Sequence, residues 1–232
     1  MKLKYKILTL CFGAIFLGSL KADVFEWDFS KGINPLNSKM KFTISEKFSE
    51  IKDGFLWQTA IGKPNPGGIF AQQKYQELTP NKAFKISFVI SFEAARSKEV
   101  FLFLWDSKGD YLGDTTTKAL KNSGFTVAFY RHPNSKAVTP RAWLGFGKST
   151  FAIKGKPFTP EIGKKYILEF SYNGTGLASF YVDGKLNKEV NVTPGGSIAP
   201  ALYKVAIGNR AVGNYFGFDG KIYSVKLTTI KD

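Results

Sequence analysis

The last third of the chain alternates apolar and polar residues in short runs, and each run stands next to a turn dipeptide. The runs cover residues 180–185, 205–209 and 218–227, and the dipeptides are Asp183-Gly184, Gly208-Asn209 and Asp219-Gly220. An alternation with period two is typical of β-strands that bury one face. Asp-Gly and Gly-Asn pairs mark the turns between such strands. The pattern therefore predicts stacked antiparallel sheets and constrains architecture far more than activity.

The rest of the chain supplies further strand candidates separated by turn residues, with almost no helical periodicity. The candidates, including those of the last third, cover residues 24–29, 42–45, 55–59, 68–72, 84–92, 100–105, 125–131, 142–146, 151–153, 166–172, 178–182, 186–190, 204–207 and 221–228. Six prolines, Pro64, Pro66, Pro140, Pro157, Pro160 and Pro194, fall between the candidates, where a missing N–H does no harm. Many short strands at a spacing of roughly 8–12 residues predict an all-β sandwich instead of alternating strands and helices.

Four C-terminal segments resemble a known family. Residues 166–174, the hairpin at 181–185, the strand end at 207–209 and the closing run at 219–226 are similar to the laminin-G-like branch of the concanavalin A-like lectin/glucanase superfamily. The resemblance is sharp over residues 164–230 and only architectural over 23–163. It implies a two-sheet antiparallel jelly-roll sandwich, with the first strand (residues 24–29) beside the last. It also implies an outer groove where relatives bind or cut glycans.

The N-terminus has the features of an export signal. Lysines at positions 2, 4 and 6 precede an apolar stretch over residues 7–20, and Ala22 offers a small residue for cleavage. We expect residues 1–22 to be a signal peptide and residues 23–232 to form one domain. The only cysteine, Cys11, lies within the signal, so the mature domain would have no disulfide. A secreted, periplasmic or cell-surface location without a lasting membrane anchor is therefore expected.

The chain is strongly basic. Its formal net charge is +15, and removal of the signal's four lysines would leave +11 on the mature domain. A basic surface concentrates anions, so acidic polysaccharides and sulfated glycans are candidate partners. The lysines are dispersed along the chain, however, and would serve equally to keep the protein soluble. No nucleic-acid-binding motif occurs, and we expect no nucleic-acid partner.

The acidic residues do not form a recognisable catalytic pattern. Glycosidases place two carboxylates across the scissile bond, and residues i, i+2 and i+4 of a strand share a face. The E-x-D-x-x-E pattern of the glucanase branch is absent here, as is G-x-S-x-G. A non-catalytic carbohydrate-binding domain is thus favoured. A diverged glycoside hydrolase or polysaccharide lyase remains an alternative, and Tyr130, Arg131 and His132 are the nearest match to a lyase group. An envelope adhesion or structural protein that binds protein partners is a second alternative.

A cofactor is not indicated either. Asp106, Asp110 and Asp114 recur every four residues, and carboxylates in a loop could bind calcium. The spacing does not match a calcium-binding loop, and residues 107–110 also suit a plain hairpin turn. We therefore predict neither a metal ion nor another cofactor.

Two segments combine aromatic and polar residues as a sugar site requires. If Phe125 and Phe129 face the core, Tyr130 and His132 share the opposite face, and Arg141 and Trp143 alternate together on the next strand. Arginine suits carboxylate-bearing sugars; the rings could equally be ordinary cross-strand packing. The second segment is the loop at residues 208–216. The predicted glycan-binding residues are Trp105, Tyr130, Arg131, His132, Arg141 and Trp143, together with Asn209, Arg210 and Tyr215 from this loop.

Overall fold

The computed structural model describes residues 22–58, 67–93, 100–108, 122–132, 135–212 and 217–230, and it contains two antiparallel sheets. The strands are β1 (Ala22–Asp28), β2 (Phe42–Ile44), β3 (Ser49–Lys52), β4 (Phe55–Gln58), β5 (Ile69–Ala71), β6 (Phe84–Phe92), β7 (Val100–Asp106), β8 (Phe125–Arg131), β9 (Val138–Gly145), β10 (Thr150–Lys154), β11 (Lys165–Tyr172), β12 (Leu177–Val182), β13 (Lys185–Asn191), β14 (Ala206–Ile207) and β15 (Gly220–Ile230). One 3₁₀ helix covers Gln76–Leu78. No helix in the described ranges is long and apolar enough to cross a membrane.

The connectivity is that of a two-sheet sandwich. One sheet has eight strands in the order β13-β12-β11-β6-β15-β4-β3, with β1 also paired to β15. The other has seven strands in the order β10-β9-β8-β7-β14-β5-β2. The first strand lies beside the last, as predicted, with Trp27 opposite Val225. The predicted all-β sandwich is therefore confirmed.

The core between the sheets is largely aromatic. Alternation along β6 turns Phe84, Phe88 and Phe92 inward, where each is at least 96% buried. Rings from the two sheets then meet in tilted or edge-to-face pairs. Between ring centroids, Phe84 lies 4.6 Å from Phe125, and Phe92 lies 5.1 Å from Phe129. Aromatic pairs at such distances add to the stability that burial of apolar area already gives. The phenylalanine-rich composition thus holds the sheets together without disulfides.

Two strands differ from the sequence prediction. Pro140 lies inside β9, opposite Phe129, although it was expected between strands. Its carbonyl accepts a bond from the Gly155 N–H, but proline cannot donate one in return. The paired register of β9 and β10 accordingly ends at Arg141 and Lys154. The sequence also missed β3, because Ser49–Lys52 is too polar to show a buried strand.

Candidate functional site

Outward-facing side chains of β7, β8 and β9 form a cluster of three rings, and one guanidinium group lies against one of these rings. Phe101 lies 5.1 Å from Tyr130 and 5.3 Å from Trp143, between ring centroids. The Cζ atom of Arg141 lies 5.3 Å from the centre of the Tyr130 ring. All four side chains are partly exposed. We call Phe101, Tyr130, Arg141 and Trp143 the Arg141 cluster.

The strand register explains why these residues meet. Phe101 stands opposite Tyr130 across β7 and β8, and Arg141 stands opposite Ala128 across β8 and β9. Ala128 is fully buried beneath the neighbouring side chains. Because its side chain is a single methyl group, Phe101 and Trp143 can meet above β8, although their strands are not neighbours. The sequence analysis placed Arg141 and Trp143 on one face, as the structure does, but it missed Phe101. The alternation along β7 was the available signal, since Phe101 and Phe103 are two residues apart and share a face.

Arg141 lies in a partly desolvated position. Burial lowers the pKa of its guanidinium from the usual value, and the Tyr130 phenol acts in the opposite direction. Arginine nevertheless keeps its charge at neutral pH. Its Nε is buried and has no hydrogen-bond acceptor among the described residues. A buried donor without a partner is costly, so a bound carboxylate or hydroxyl would be stabilised at this position.

His132 borders the Arg141 cluster. Its ring lies 4.9 Å from the Tyr130 ring, and its Nε2 lies 2.7 Å from the Thr139 Oγ1. Thr139 is buried, so this contact fixes the imidazole against the sheet. The structure therefore brings together four predicted residues, namely Tyr130, His132, Arg141 and Trp143.

Trp105 was expected as an exposed platform, and this expectation is wrong. The pairing of β7 with β8 shifts between Phe103 and Trp105, which inserts an extra residue. Leu104 and Trp105 consequently both enter the core, where Trp105 is fully buried. Its ring stacks on Phe125 at 5.7 Å. Trp105 holds the sheets together and cannot reach a ligand on the outer face.

Arg131 also lies inside the sandwich instead of on a binding surface. Its Nη1 donates to the Asp219 Oδ2 at 2.8 Å, and the two side chains are 2% and 0% exposed. Alternation along β8 predicts this inward position, since Phe129 also faces the core. Asp219, expected in a turn, is instead a buried partner just before β15. The predicted Tyr130, Arg131 and His132 group is therefore split between two faces.

The loop after β14 was the second predicted site. Asn209 is fully buried, and its Oδ1 accepts a bond from the Arg210 N–H at 2.8 Å, so Asn209 is not a surface residue. Arg210 is partly exposed. The Ala211 N–H donates to the Asp106 Oδ2 at 2.8 Å, which ties this loop to the end of β7. Tyr215 lies outside the described residues.

The possible calcium position can be assessed only at Asp106. Its Oδ1 accepts bonds from the Thr126 hydroxyl at 2.7 Å and the Lys108 N–H at 3.0 Å, so protein donors already occupy this carboxylate. Asp110 and Asp114 lie outside the described residues. Within the described ranges, no three His, Cys, Asp or Glu side chains converge as metal ligands. The prediction of no metal ion stays a prediction.

Only part of the outer face is open. Phe103, Thr126 and Ala128 point outward yet are at most 1% exposed, so the chain covers this part of the sheet. The Arg141 cluster and His132 mark the part that solvent reaches. Among the residues that the structure describes, the candidate site is thus a compact aromatic surface beside the Arg141 guanidinium.

Comparisons with solved structures identify the architecture. The chain is similar to the ligand-binding domain of botulinum neurotoxin serotype D in complex with N-acetylneuraminic acid, with 9% identity and a TM-score of 0.55 over 90% of this chain and 47% of that one. The binding domain of botulinum neurotoxin serotype G gives 11% identity and a TM-score of 0.55, covering 89% and 46% of the two chains. Trypanosoma rangeli sialidase in complex with sialic acid gives 14% identity and a TM-score of 0.58, covering 90% and 31%.

The fold is a jelly-roll sandwich. This likeness confirms the predicted fold class and, at such low identity, the fold alone. The chain spans less than half the length of the structures it matches. No protein-family model matches the sequence, and no curated protein does either.

Proposed function

We propose that this protein is an exported, non-catalytic carbohydrate-binding domain, and that the Arg141 cluster binds an acidic sugar. The observation that carries this proposal is the partly buried Arg141 guanidinium, which lies against the Tyr130 ring. Its Nε has no hydrogen-bond acceptor among the described residues. The apolar face of a pyranose would stack on Trp143 or Phe101. The sugar carboxylate would then accept hydrogen bonds from Arg141, which suits carboxylates through its planar fork.

Three further observations support the proposal. The net positive charge would attract an anionic ligand from a distance. Two of the similar structures, the serotype D toxin domain and the trypanosomal sialidase, are described as complexes with sialic acid. The C-terminal segments also resemble the laminin-G-like branch, which we retain as part of the proposal. Export rests on the signal-like N-terminus.

The proposal is tested by titrating the protein with 3′-sialyllactose and lactose in a calorimeter. We expect sialyllactose to bind and Arg141→Met to weaken it about 10- to 100-fold, because a charge-assisted hydrogen bond is lost. Arg141→Lys keeps the charge but loses the fork, so its affinity should lie between the two. Trp143→Ala should also weaken binding, since it removes the largest ring of the cluster.

The matched control is Lys154→Met. Lys154 stands opposite Arg141 on β10 and is exposed, so this substitution removes the same charge from the same sheet. We expect less than about a threefold change, as for an exposed charge without a direct contact. Equal effects of Arg141→Met and Lys154→Met would reduce the role of Arg141 to overall charge and contradict the proposed site. Circular dichroism of each variant checks that the fold is intact.

A further inference from the structure

A second candidate site is a concave groove on the outer face of the eight-stranded sheet, whereas the Arg141 cluster lies on the outer face of the seven-stranded sheet. It is a groove of about 360 Å³, lined by Glu50, Lys52, Asp53, Phe55, Trp57, Glu93 and Lys221. Its volume lies within the range of about 300–1,000 Å³ that is common for small-molecule sites. We call it the Trp57 groove.

The strand register places its central residues in one row across the sheet. Glu50 on β3 stands opposite Trp57 on β4, and Trp57 stands opposite Lys221 on β15. Neighbouring strands lie about 4.8 Å apart, so a carboxylate and an ammonium group flank the indole on its two sides. Lys221 in turn stands opposite Ser91 on β6. The groove therefore extends from the β3–β4 hairpin across β15 to the end of β6, and these three parts are distant in sequence.

Trp57 packs against the Phe55 ring while part of it stays exposed. Phe55 contacts Trp57 edge-on at 6.4 Å and Tyr223 at 5.6 Å, between centroids. Phe55 is only 8% exposed and so forms the floor. The Lys221 Nζ lies 4.9 Å from the centre of the Phe55 ring. A ring that is fixed before binding loses little conformational entropy when a ligand stacks on it.

The polar groups of the groove offer both donors and acceptors. Glu93 accepts a bond from the Ser91 hydroxyl at 2.8 Å and pairs with the Lys221 Nζ at 3.4 Å, and this ion pair is partly buried. Glu50 and Lys52 are exposed on β3 at the other side. A sugar hydroxyl both donates and accepts, so it can bond a carboxylate and an ammonium group at once.

The charge balance of the groove selects against anions. Its lining contains three carboxylates and two lysines, whereas the whole chain has 33 basic and 18 acidic residues. Like charges disfavour an acidic ligand at such a position. An uncharged ligand with many hydroxyls satisfies the donors and acceptors without adding charge.

We propose that the Trp57 groove binds a neutral hexopyranose unit of an oligosaccharide. One face of the sugar stacks on Trp57, and its hydroxyls bond Glu50 and Glu93 as acceptors and Lys52 and Lys221 as donors. This site and the Arg141 cluster lie on different sheets and differ in charge. The inference therefore does not rest on the proposed function, and the two fail independently.

Intrinsic fluorescence provides a direct test. Of the four tryptophans, Trp27 and Trp105 are fully buried, whereas Trp57 and Trp143 are partly exposed and lie on opposite sheets. Maltohexaose, cellohexaose and mannohexaose are titrated into the wild type, Trp57→Phe and Trp143→Phe. We expect at least one of these neutral sugars to change the emission of the wild type and of Trp143→Phe, and to leave that of Trp57→Phe unchanged.

Calorimetry on further variants locates the contact. Trp57→Ala should weaken the same hexasaccharide at least about tenfold, as loss of an aromatic platform does, and Lys221→Met should also weaken it. Lys226→Met is the matched control, since Lys226 faces outward and is exposed further along β15. Trp57→Phe, a smaller ring, keeps the test valid if Trp57→Ala fails to fold.

Three results would overturn this inference. The first is no binding of any of the three sugars up to about 10 mM, well beyond the roughly 1 mM dissociation constant of a weak site. The second is neutral-sugar binding that Trp57→Ala leaves unchanged. The third is neutral-sugar binding that is lost in Trp143→Phe instead. Binding of 3′-sialyllactose in Trp57→Ala reports separately on the Arg141 cluster.

Discussion

The buried ion pair between Arg131 and Asp219 joins the two sheets. Arg131 ends β8 of the seven-stranded sheet, and Asp219 immediately precedes β15 of the eight-stranded sheet. Both side chains are almost completely buried. The Arg131 charge therefore depends on Asp219, since a buried charge that loses its partner keeps the full cost of its removal from water.

We expect Asp219→Asn to lower the free energy of unfolding by about 3–5 kcal/mol, because it leaves the Arg131 charge uncompensated. The double variant Arg131→Met/Asp219→Leu should lose less, since it removes both charges of the pair and leaves neither one uncompensated. Urea unfolding measures both. Glu161→Gln breaks the exposed pair with Lys164 and serves as the control, with little or no expected change. A similar midpoint for Asp219→Asn and Glu161→Gln would show that the buried pair contributes nothing.

At the scale of the elements, the central pairing of the eight-stranded sheet depends on close backbone approach where β15 begins. Gly220 stands opposite Phe92 on β6. A Cβ atom added to Gly220 would overlap the carbonyl oxygen of Ser91. Because that oxygen belongs to the backbone of a central strand, the overlap could be relieved only by displacing β6 or β15. This pairing also positions Lys221 and Glu93, so the ladder supports the Trp57 groove.

We therefore predict that Gly220→Ala lowers the free energy of unfolding by about 3 kcal/mol or more, as severe overpacking does. Gly184→Ala is the control. Gly184 has a positive φ of 72°, but a Cβ there meets nothing within 4 Å, so the loss should be only about 1–2 kcal/mol. Chemical denaturation of both variants makes the comparison. An equal loss would mean that strand approach at Ser91 does not limit stability.

At the scale of the whole molecule, the two outer faces differ in electrostatic character. The Trp57 groove has more carboxylates than lysines. One glycan that carries both an acidic and a neutral sugar could therefore occupy both sites at once in only two ways. It could bridge two copies of the protein, or its own sugar chain could be long enough to reach both faces of one copy.

Salt should separate the two faces. Between about 0.1 and 1 M NaCl the screening length falls from about 10 to 3 Å, so we expect the affinity for 3′-sialyllactose to decrease roughly three- to tenfold. The affinity for whichever neutral hexasaccharide binds should change by less than about twofold, since this ligand carries no charge for the salt to screen. Titration calorimetry at both salt concentrations checks this. The same salt dependence for both sugars would contradict the assigned difference in charge preference.

Local alternation was sufficient to predict much of the fold and part of the site. It predicted that Tyr130 and His132 share a face and that Arg141 and Trp143 lie together on the next strand, and the structure shows both. Burial with period two is a property of each strand by itself. The sequence also predicted that the first strand pairs beside the last, but only through resemblance to a family.

Tertiary structure decided the residues whose position depends on another strand. A bulge against β8 turned Trp105 into the core, and a buried acid 88 positions away fixed Arg131 inside. The Trp57 groove combines Glu50 and Trp57 of the β3–β4 hairpin with Lys221 on β15, and no local pattern connects that lysine to the hairpin. Local period sets which face of a strand is apolar, whereas register, bulges and the partners of buried charges arise only when distant strands pair. For this protein the sequence determined the layers, and the pairing of the strands determined which side chains a ligand can reach.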